Sequence, residues 1–380
     1  MGVNVSKERI NKLFVMKSED FEIRNRSKTP IGVLSLAVNK TRNQKAIHLS
    51  IQYDNDQIVE KVTKALEVTS IQSSSPSNCF VNSLAAGCPD QMITCSASFL
   101  DIYLEPFDFT LEDLFVQNKI NEFFDQEYKI WVLVAKMIES VKELNKSSES
   151  THSLHPRLIC YFVEKAEWRI IHPSFVPNFS NFQLAFAGEN HYCAPEVFSQ
   201  LGRNYQKFKL EDKDRASMFS IGLIVLRIMI EMKEKMNFAK IYHKPQYSVD
   251  FMYLAKLLIS LESKGLSDLL LRIVNDLLQE IDIKRPSSEG ISEHLNPFWH
   301  DLSSQNMSLY EQILETYLNT KSTNLAHSSQ KEGTLVEQPS SKVEDKGRLT
   351  ILGEKKDSIE QTSKLAVKKQ RKLFSNFKFA

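Results

Sequence analysis

The amino-acid sequence predicts an α+β fold with two lobes, a small β-rich N-terminal lobe followed by a larger helical C-terminal lobe. The first observation is that residues 21–105 contain short segments rich in β-branched residues. The second is that apolar residues recur at helical spacing from about residue 110 onward. A run of strands followed by a run of helices is typical of α+β folds, and 380 residues are enough to bury a sizeable core.

The N-terminal lobe, residues 20–105, is predicted to consist of short strands with one helix between them. In chain order the predicted elements are strands at 21–23, 32–38 and 45–51, a helix at 57–71 and a strand at 99–107. Residues 41–44 (TRNQ) have the composition of a hairpin turn. The helix follows from its apolar periodicity, and the turn-forming residues 73–78 end it.

Helices dominate the predicted C-terminal lobe, residues 106–310. The predicted elements are helices at 128–144 and 219–232, at least two helices in 251–280, and a pair of short strands around a tight turn in 158–171. The segment 219–232 is the most apolar, but it is short and contains Arg227. It is therefore expected to be a buried core helix and not a membrane span.

Composition excludes several classes of function. A net charge of +1 gives no reason to expect a nucleic-acid partner. The five cysteines form no CxxC pair and have no zinc spacing, so we expect free thiols in a reducing compartment and no metal site. Without a secretory signal or a membrane span, the sequence predicts a cytoplasmic protein.

The two ends of the chain differ in composition from the domain between them. Residues 1–19 are predicted to be a polar N-terminal extension, in which Gly2 fits the N-myristoylation pattern. Residues 311–362 are predicted to be a helix end followed by a disordered linker. Residues 363–380 contain six basic residues interleaved with leucines and phenylalanines. Such a tail suits an anionic membrane surface or a partner's groove, and a nuclear address is the alternative.

Five segments in consistent order resemble the protein kinase superfamily over roughly residues 20–300. Ala194, Pro195 and Glu196 resemble the end of an activation segment. The other four segments are SKTPIGV (27–33), KAIH (45–48), ASMFSIG (216–222) and IDIKRPSSEGISEHLNPFW (281–299). In that family they correspond to the glycine-rich loop, the strand that carries the catalytic lysine, the central helix and the closing segment. The resemblance implies a protein-kinase-like fold.

The resemblance also implies that the nucleotide-binding groups are degenerate. Ser27 and Thr29 stand where the first two glycines of the loop would be, and only Gly32 matches. Side chains there hinder the approach of backbone amides to phosphates. His48 stands in the place of the lysine, and a mostly neutral imidazole does not replace an ammonium group.

The groups for chemistry are replaced as well. Arg157 stands in the place of the catalytic aspartate, Phe162 in that of the magnesium asparagine, and His172 in that of the magnesium aspartate. In a second register, residues 181–185 occupy the metal-binding motif, again without an aspartate. Ser217 replaces the aspartate of the central helix. Phosphoryl transfer depends on these positioned charges, so no catalytic residue and no cofactor are expected.

Two scaffold residues do match the family. Glu196 and Arg285 correspond to the pair that forms a buried salt bridge in the large lobe. A scaffold without catalytic groups is what a pseudokinase requires. We therefore expect a non-catalytic scaffold or allosteric binding partner of unidentified proteins, in the cytoplasm and also at a membrane. The alternatives are a divergent active Ser/Thr kinase that uses ATP and Mg²⁺, and a nucleotide-binding switch without phosphate transfer.

Overall fold

The structure, a computed structural model, describes residues 10, 13–14, 16–29, 32–53, 56–70, 79–87, 98–146, 153–176, 192–201, 212–233, 237–243, 248–262 and 266–295. The expectations for Gly2, for the register at 181–185 and for the segments 311–362 and 363–380 lie outside these residues. The described chain is a mixed α+β structure with antiparallel sheets, as the sequence predicts.

A five-stranded antiparallel sheet forms the first part of the described chain. Its strands are β1 (Phe21–Thr29), β2 (Gly32–Asn39), β3 (Lys45–Tyr53), β4 (Ser83–Gly87) and β5 (Ser98–Leu104). They lie in the order β1-β2-β3-β5-β4, and helix α1 (Asp56–Thr69) connects β3 to β4. The four strands and the helix predicted for this region are confirmed, and β4 is an additional strand.

The predicted turn between β2 and β3 is confirmed and is organised by one asparagine. The side-chain oxygen of Asn39 accepts hydrogen bonds from the backbone N–H groups of Thr41 and Arg42 at 3.1 and 2.9 Å. Asn43 has a φ of 51°, a left-handed conformation that asparagine tolerates better than most residues. The turn fixes the register in which Lys45 pairs with Val38.

The two faces of the sheet belong to different apolar clusters. Successive side chains of a strand point to opposite faces. Leu49 and Ile51 of β3 are buried in the large cluster that includes the apolar side of α1. On the other face, Ala46 of β3 lies in a small cluster whose members come from all five strands: Phe21, Ala37, Ala46, Leu84, Ala85 and Tyr103. The large cluster continues into the helical part of the chain.

A small second sheet connects the first one to the helices. It consists of β6 (Phe109–Thr110), β7 (Ile159–Phe162) and β8 (Glu167–Ile170), of which β7 and β8 are the predicted strand pair. The segment before β4 lies beside β8. Ile170 donates its N–H to the carbonyl of Cys79 at 2.8 Å and accepts from the N–H of Val81 at 2.9 Å. Two backbone hydrogen bonds thus tie the two sheets together.

Helices form most of the remaining described chain. They are α2 (Leu111–Val116), α3 (Ile120–Phe123), α4 (Glu127–Lys146), α5 (Pro195–Leu201), α6 (Lys213–Lys233), α7 (Phe251–Glu262), α8 (Asp268–Leu277) and α9 (Ser288–Leu295). The helices predicted at 128–144, at 219–232 and in 251–280 are confirmed. Within the described residues, no helix is long and apolar enough to cross a membrane.

Helix α6 is the centre of the helical part. Every residue from Ala216 to Ile230 is buried, so α6 is covered on all sides. Gly222 lets α8 approach closely, because a Cβ atom at this position would lie 2.9 Å from the side chains of Leu277 and Leu278. The close packing of α6 on α8 therefore requires a glycine at position 222.

We expect Gly222→Ala to destabilise the protein by about 1–3 kcal/mol, the usual range for overpacking a core. Alanine has the higher helix propensity, so a loss of stability has to come from the contact with α8. Gly290→Ala in α9 is the matched control, because the nearest atom there is the flexible Ser287 Oγ at 3.2 Å. Urea denaturation measures both variants, and equal stabilities would contradict the close packing of α6 on α8.

Candidate functional site

His48, which the sequence places at the position of the lysine, lies on the face of the first sheet that bears the small apolar cluster. It shares a face with Ala46, and its ring lies 5.0 Å from that of Tyr103. Its Nε2 is 3.0 Å from Oδ1 of Asp101 on the neighbouring strand. The opposite face of β3 is the one that packs against α1. The residue of β3 that points there is Leu49, which is fully buried. The assignment of His48 to the lysine position therefore stays a prediction, and the structure places His48 on the face of the small cluster and Leu49 on the face of α1.

The segment predicted to be a catalytic loop is very short. Residues Pro156–Leu158 form one 3-10 turn, and β7 begins at the next residue. The turn is capped by His155, whose Nδ1 accepts the N–H of Arg157 at 3.2 Å. Arg157 therefore lies in the turn, where the resemblance places the catalytic aspartate.

Phe162 does not belong to this loop. It is the last residue of β7 and pairs with Glu167 of β8. Its ring lies 5.1 Å from the Lys165 ammonium nitrogen and 5.3 Å from the centre of the Arg169 guanidinium. The alignment of Phe162 with the magnesium asparagine stays a prediction, and the structure places this residue at the end of a strand that starts directly after the turn.

His172 is buried in an apolar setting and serves as a cap. Its ring lies 4.9 Å from that of Phe80 and 5.7 Å from that of Phe175. Its Nδ1 accepts the N–H of Ser174 at 3.2 Å, at the start of the 3-10 turn Pro173–Phe175. Burial lowers the pKa of His172 from 6.5 to about 3. The group at this position is therefore a neutral imidazole at physiological pH.

The described residues of the segment that resembles a glycine-rich loop, 27–29 and 32–33, lie in the antiparallel pair of β1 and β2. Ser27 pairs with Leu34, and Thr29 at the end of β1 pairs with Gly32 at the start of β2. Only residues 30 and 31 connect the two strands. The family's loop needs glycines for close backbone contact with phosphates, and Ser27 and Thr29 carry side chains at two of these positions.

Ser217 of α6 is fully buried. One turn further along α6, the hydroxyl of Ser220 contacts the segment before α5. Ser220 Oγ donates to the carbonyl of Tyr192 at 2.5 Å. The hydroxyl of Tyr192 is in turn hydrogen-bonded to the guanidinium of Arg227. Arg227 also donates to Glu112 of α2 at 3.1 Å, and its guanidinium lies 3.7 Å from the ring of Phe115. These contacts fix the segment before α5 to α6 and α2.

The stretch Ala194-Pro195-Glu196 starts helix α5 and is anchored from both ends. The hydroxyl of Tyr242 donates to the carbonyl of Cys193 at 2.7 Å. Glu196 forms a bidentate ion pair with Arg285, with N–O distances of 2.6 and 3.0 Å. The Arg285 side chain is fully buried, whereas 25% of the Glu196 side chain is exposed. The two scaffold residues matched in the sequence are thus in direct contact.

A charged cluster at the end of β5 was missed by the sequence reasoning. Glu105 accepts from Arg169 of β8 at 2.7 Å, from Asn82 at 3.1 Å and from Lys165 at 3.3 Å. A second carboxylate, that of Glu167, lies 2.7 Å from Arg169. The carboxylate of Glu105 is thus paired with Arg169 and Lys165, and that of Glu167 is paired with Arg169. Among the described residues, no group of three or more His, Cys, Asp or Glu side chains is arranged to hold a metal ion.

Comparison with known proteins does not assign this chain to a family. No protein-family model matches the sequence, and the search of the curated proteins finds no match.

We expect Arg285→Ala to reduce the free energy of unfolding by about 3–5 kcal/mol, as for a broken buried ion pair. Besides Glu196, Arg285 donates to the carbonyls of Gln279 and Glu280 at 2.7 and 3.0 Å. Glu196→Ala is expected to cost less, because Glu196 is partly exposed and Arg285 keeps both carbonyls.

Exchanging the two charges should not restore stability, because the new carboxylate at position 285 would face the two carbonyl oxygens. Guanidinium chloride titrations of the two single variants and the exchange variant check this order. An exchange variant as stable as the parent would show that the ion pair alone, without the carbonyls, accounts for the effect.

A pH dependence of stability is expected from His172. Because its pKa is lowered in the folded state to about 3, its contribution is fully present above pH 6.5 and is lost as the pH falls toward 3. The unfolded state binds the extra proton, at up to about 1.4 kcal/mol per pH unit. His172→Asn retains an oxygen acceptor for the Ser174 N–H and should flatten the stability profile between pH 6 and 4.

The matched control is His243→Asn, because 50% of the His243 side chain is exposed. Chemical denaturation at each pH measures both variants. A profile for His172→Asn as steep as that of the parent would contradict the burial of a neutral His172.

Proposed function

We propose that this chain is a catalytically inactive member of the protein-kinase-like fold, a pseudokinase that acts as a scaffold or allosteric binding partner. Three features support the fold. The strand order β1-β2-β3-β5-β4 with α1 between β3 and β4 is that expected of a small kinase-like lobe. The β7–β8 pair follows a capped turn, and the Glu196–Arg285 pair joins α5 to the segment before α9.

The single observation that most supports a lack of catalysis is that His172 is buried as a neutral imidazole. Phosphoryl transfer requires carboxylates to hold Mg²⁺ against the phosphates. At the position that corresponds in the first of the two registers, this chain has a fully buried imidazole whose pKa is lowered to about 3. Arg157, in the place of the catalytic aspartate, carries a guanidinium group that has only hydrogen-bond donors and therefore cannot accept a proton from a hydroxyl group.

Leu49, which faces α1 from β3, adds to this reasoning. An apolar side chain there cannot pair with the phosphates of a nucleotide. Three different roles in nucleotide chemistry are thus absent at the aligned positions, namely the phosphate-binding cation, the metal ligand and the general base. For these reasons the proposed function includes no ATP, no Mg²⁺ and no other cofactor.

The partners belong to the proposal as well. We propose protein partners, of unidentified nature, and no nucleic acid. Gly2 and the basic segment 363–380 provide two candidate signals for an anionic membrane, since one acyl chain alone gives marginal attachment. The proposed location is the cytoplasm with membrane association, and the nucleus is the alternative.

The test is the response of the full-length protein to nucleotide. We expect the melting temperature to be unchanged by millimolar ATP with Mg²⁺, compared with ATP and EDTA. A ligand at 100 times its Kd would add about 2.7 kcal/mol to the free energy of unfolding and would be visible as a shift. A competent protein kinase measured in parallel is the positive control.

Two outcomes would overturn the proposal in different ways. A Mg²⁺-dependent shift without transfer of labelled phosphate would support a nucleotide-binding switch. Transfer of labelled phosphate to the protein itself or to a generic substrate would support a divergent active kinase.

A further inference from the structure

The first three strands carry charge of one sign. Residues 23–53, which include most of β1 and the whole of β2 and β3, contain six cationic residues and no acidic one. The whole chain has a net charge of only +1, so the rest of the protein is acidic on balance. A local excess of positive charge attracts an anionic partner even where the net charge of the protein does not.

Three of these cations lie on the turn between β2 and β3. Lys40, Arg42 and Lys45 are all exposed. The backbone of the turn is closed by two hydrogen bonds, from the Asn39 N–H to the carbonyl of Gln44 at 2.8 Å and from the N–H of residue 43 to the Asn39 carbonyl at 2.9 Å. The three cationic side chains therefore extend from fixed backbone positions.

A fourth exposed cation, Lys17, precedes β1, and its segment lies against this turn. Lys40 donates its N–H to the carbonyl of Asp20 at 2.8 Å and its ammonium group to the carbonyl of Glu19 at 3.0 Å. The carboxylate of Asp20 accepts the backbone N–H of Lys17 at 2.9 Å. Lys17, Lys40, Arg42 and Lys45 are named the basic surface below.

The acidic residues of this region do not neutralise the basic surface. They are Glu19, Asp20 and Glu22, all of which come before residue 23. In the described part of the chain, none of the four cations of the basic surface forms an ion pair with a carboxylate. Their charge is therefore available to an external anion.

The lysines of helix α4 provide the contrast. Each of its four lysines has a carboxylate oxygen within 3.0 Å of the ammonium nitrogen, namely Lys129, Lys136, Lys142 and Lys146. A nearby carboxylate compensates part of the positive charge, so these lysines attract a further anion less strongly. The two sets of cations thus differ in pairing and not in residue type.

We propose that the basic surface contacts the phosphate groups of an anionic lipid bilayer. Small anions usually bind in concave sites, whereas these cations stand on an exposed turn and suit a broad charged plane. Gly2, the candidate acylation site, precedes Lys17 by 15 residues. A chain of that length spans up to about 50 Å, so an acyl chain on Gly2 and the basic surface can reach the same bilayer.

This inference rests on the proposed membrane association and names the folded surface that takes part in it. Each basic residue near an anionic leaflet strengthens binding by roughly fivefold. Four such residues supply a second signal from within the fold, besides the segment 363–380.

The test is the co-sedimentation of the full-length protein with phosphatidylcholine vesicles that contain about 30% phosphatidylserine. We expect Lys40→Gln/Arg42→Gln/Lys45→Gln to lower the partition coefficient at least about tenfold at about 0.1 M salt, where screening is moderate. Vesicles of phosphatidylcholine alone should bind the parent and this variant equally weakly.

The matched control is Lys129→Gln/Lys136→Gln/Lys146→Gln, which removes the same charge from paired lysines of α4. Its partition coefficient should stay within about twofold of the parent value, since contacts far from the bilayer are screened. Melting temperatures of both variants check that the fold is retained.

Inorganic phosphate at the concentration of the lipid phosphate separates a bilayer surface from a site for a free anion. We expect it to leave vesicle binding unchanged. Full competition by inorganic phosphate would overturn the bilayer as the partner, as would binding of duplex DNA that exceeds vesicle binding and is lost in the variant of the turn.

The remaining outcomes separate this inference from the proposed membrane association. A parent protein that does not sediment with anionic vesicles would contradict both. A parent that sediments, together with a turn variant that sediments equally or with an equal loss in the α4 control, would overturn the basic surface alone.

Discussion

The helical part of this protein depends on the guanidinium group of Arg285. Its nitrogen atoms donate to both carboxylate oxygens of Glu196 and to the carbonyls of Gln279 and Glu280, and it lies 4.7 Å from the ring of Phe219 on α6. One buried side chain thereby joins the start of α5, the centre of α6 and the chain after α8. Because the charge has no access to water, every one of these donors must find a partner inside the fold.

The sequence predicted most elements because their signals are local. Apolar periodicity was sufficient for α1, α4 and α6, and β-branched residues for β1 to β3. Strand β4, SLAAG, was missed because its small residues have no β preference of their own, and its pairing with β5 determines its conformation. The face of the sheet on which His48 lies is encoded in the local sequence. In KAIHLSI the apolar residues Ile47, Leu49 and Ile51 alternate with the others, which assigns His48 to the opposite face.

The motifs in the sequence predicted that Glu196 and Arg285 form an ion pair, and the structure shows this contact between two separate segments. For Phe162 the structure shows the end of β7, and the number of residues between a turn and a strand cannot be obtained from a motif alone. The pairs Glu105–Arg169 and Glu112–Arg227 were not foreseeable either. Their members are 64 and 115 residues apart, and only the folded chain brings them together.

The two backbone hydrogen bonds between Ile170 and the segment before β4 have a mechanical consequence. A change in the angle between the first sheet and the second sheet would have to break these two hydrogen bonds, because they join the segment before β4 to β8. As long as both hydrogen bonds persist, the segment before β4 and strand β8 keep one relative position.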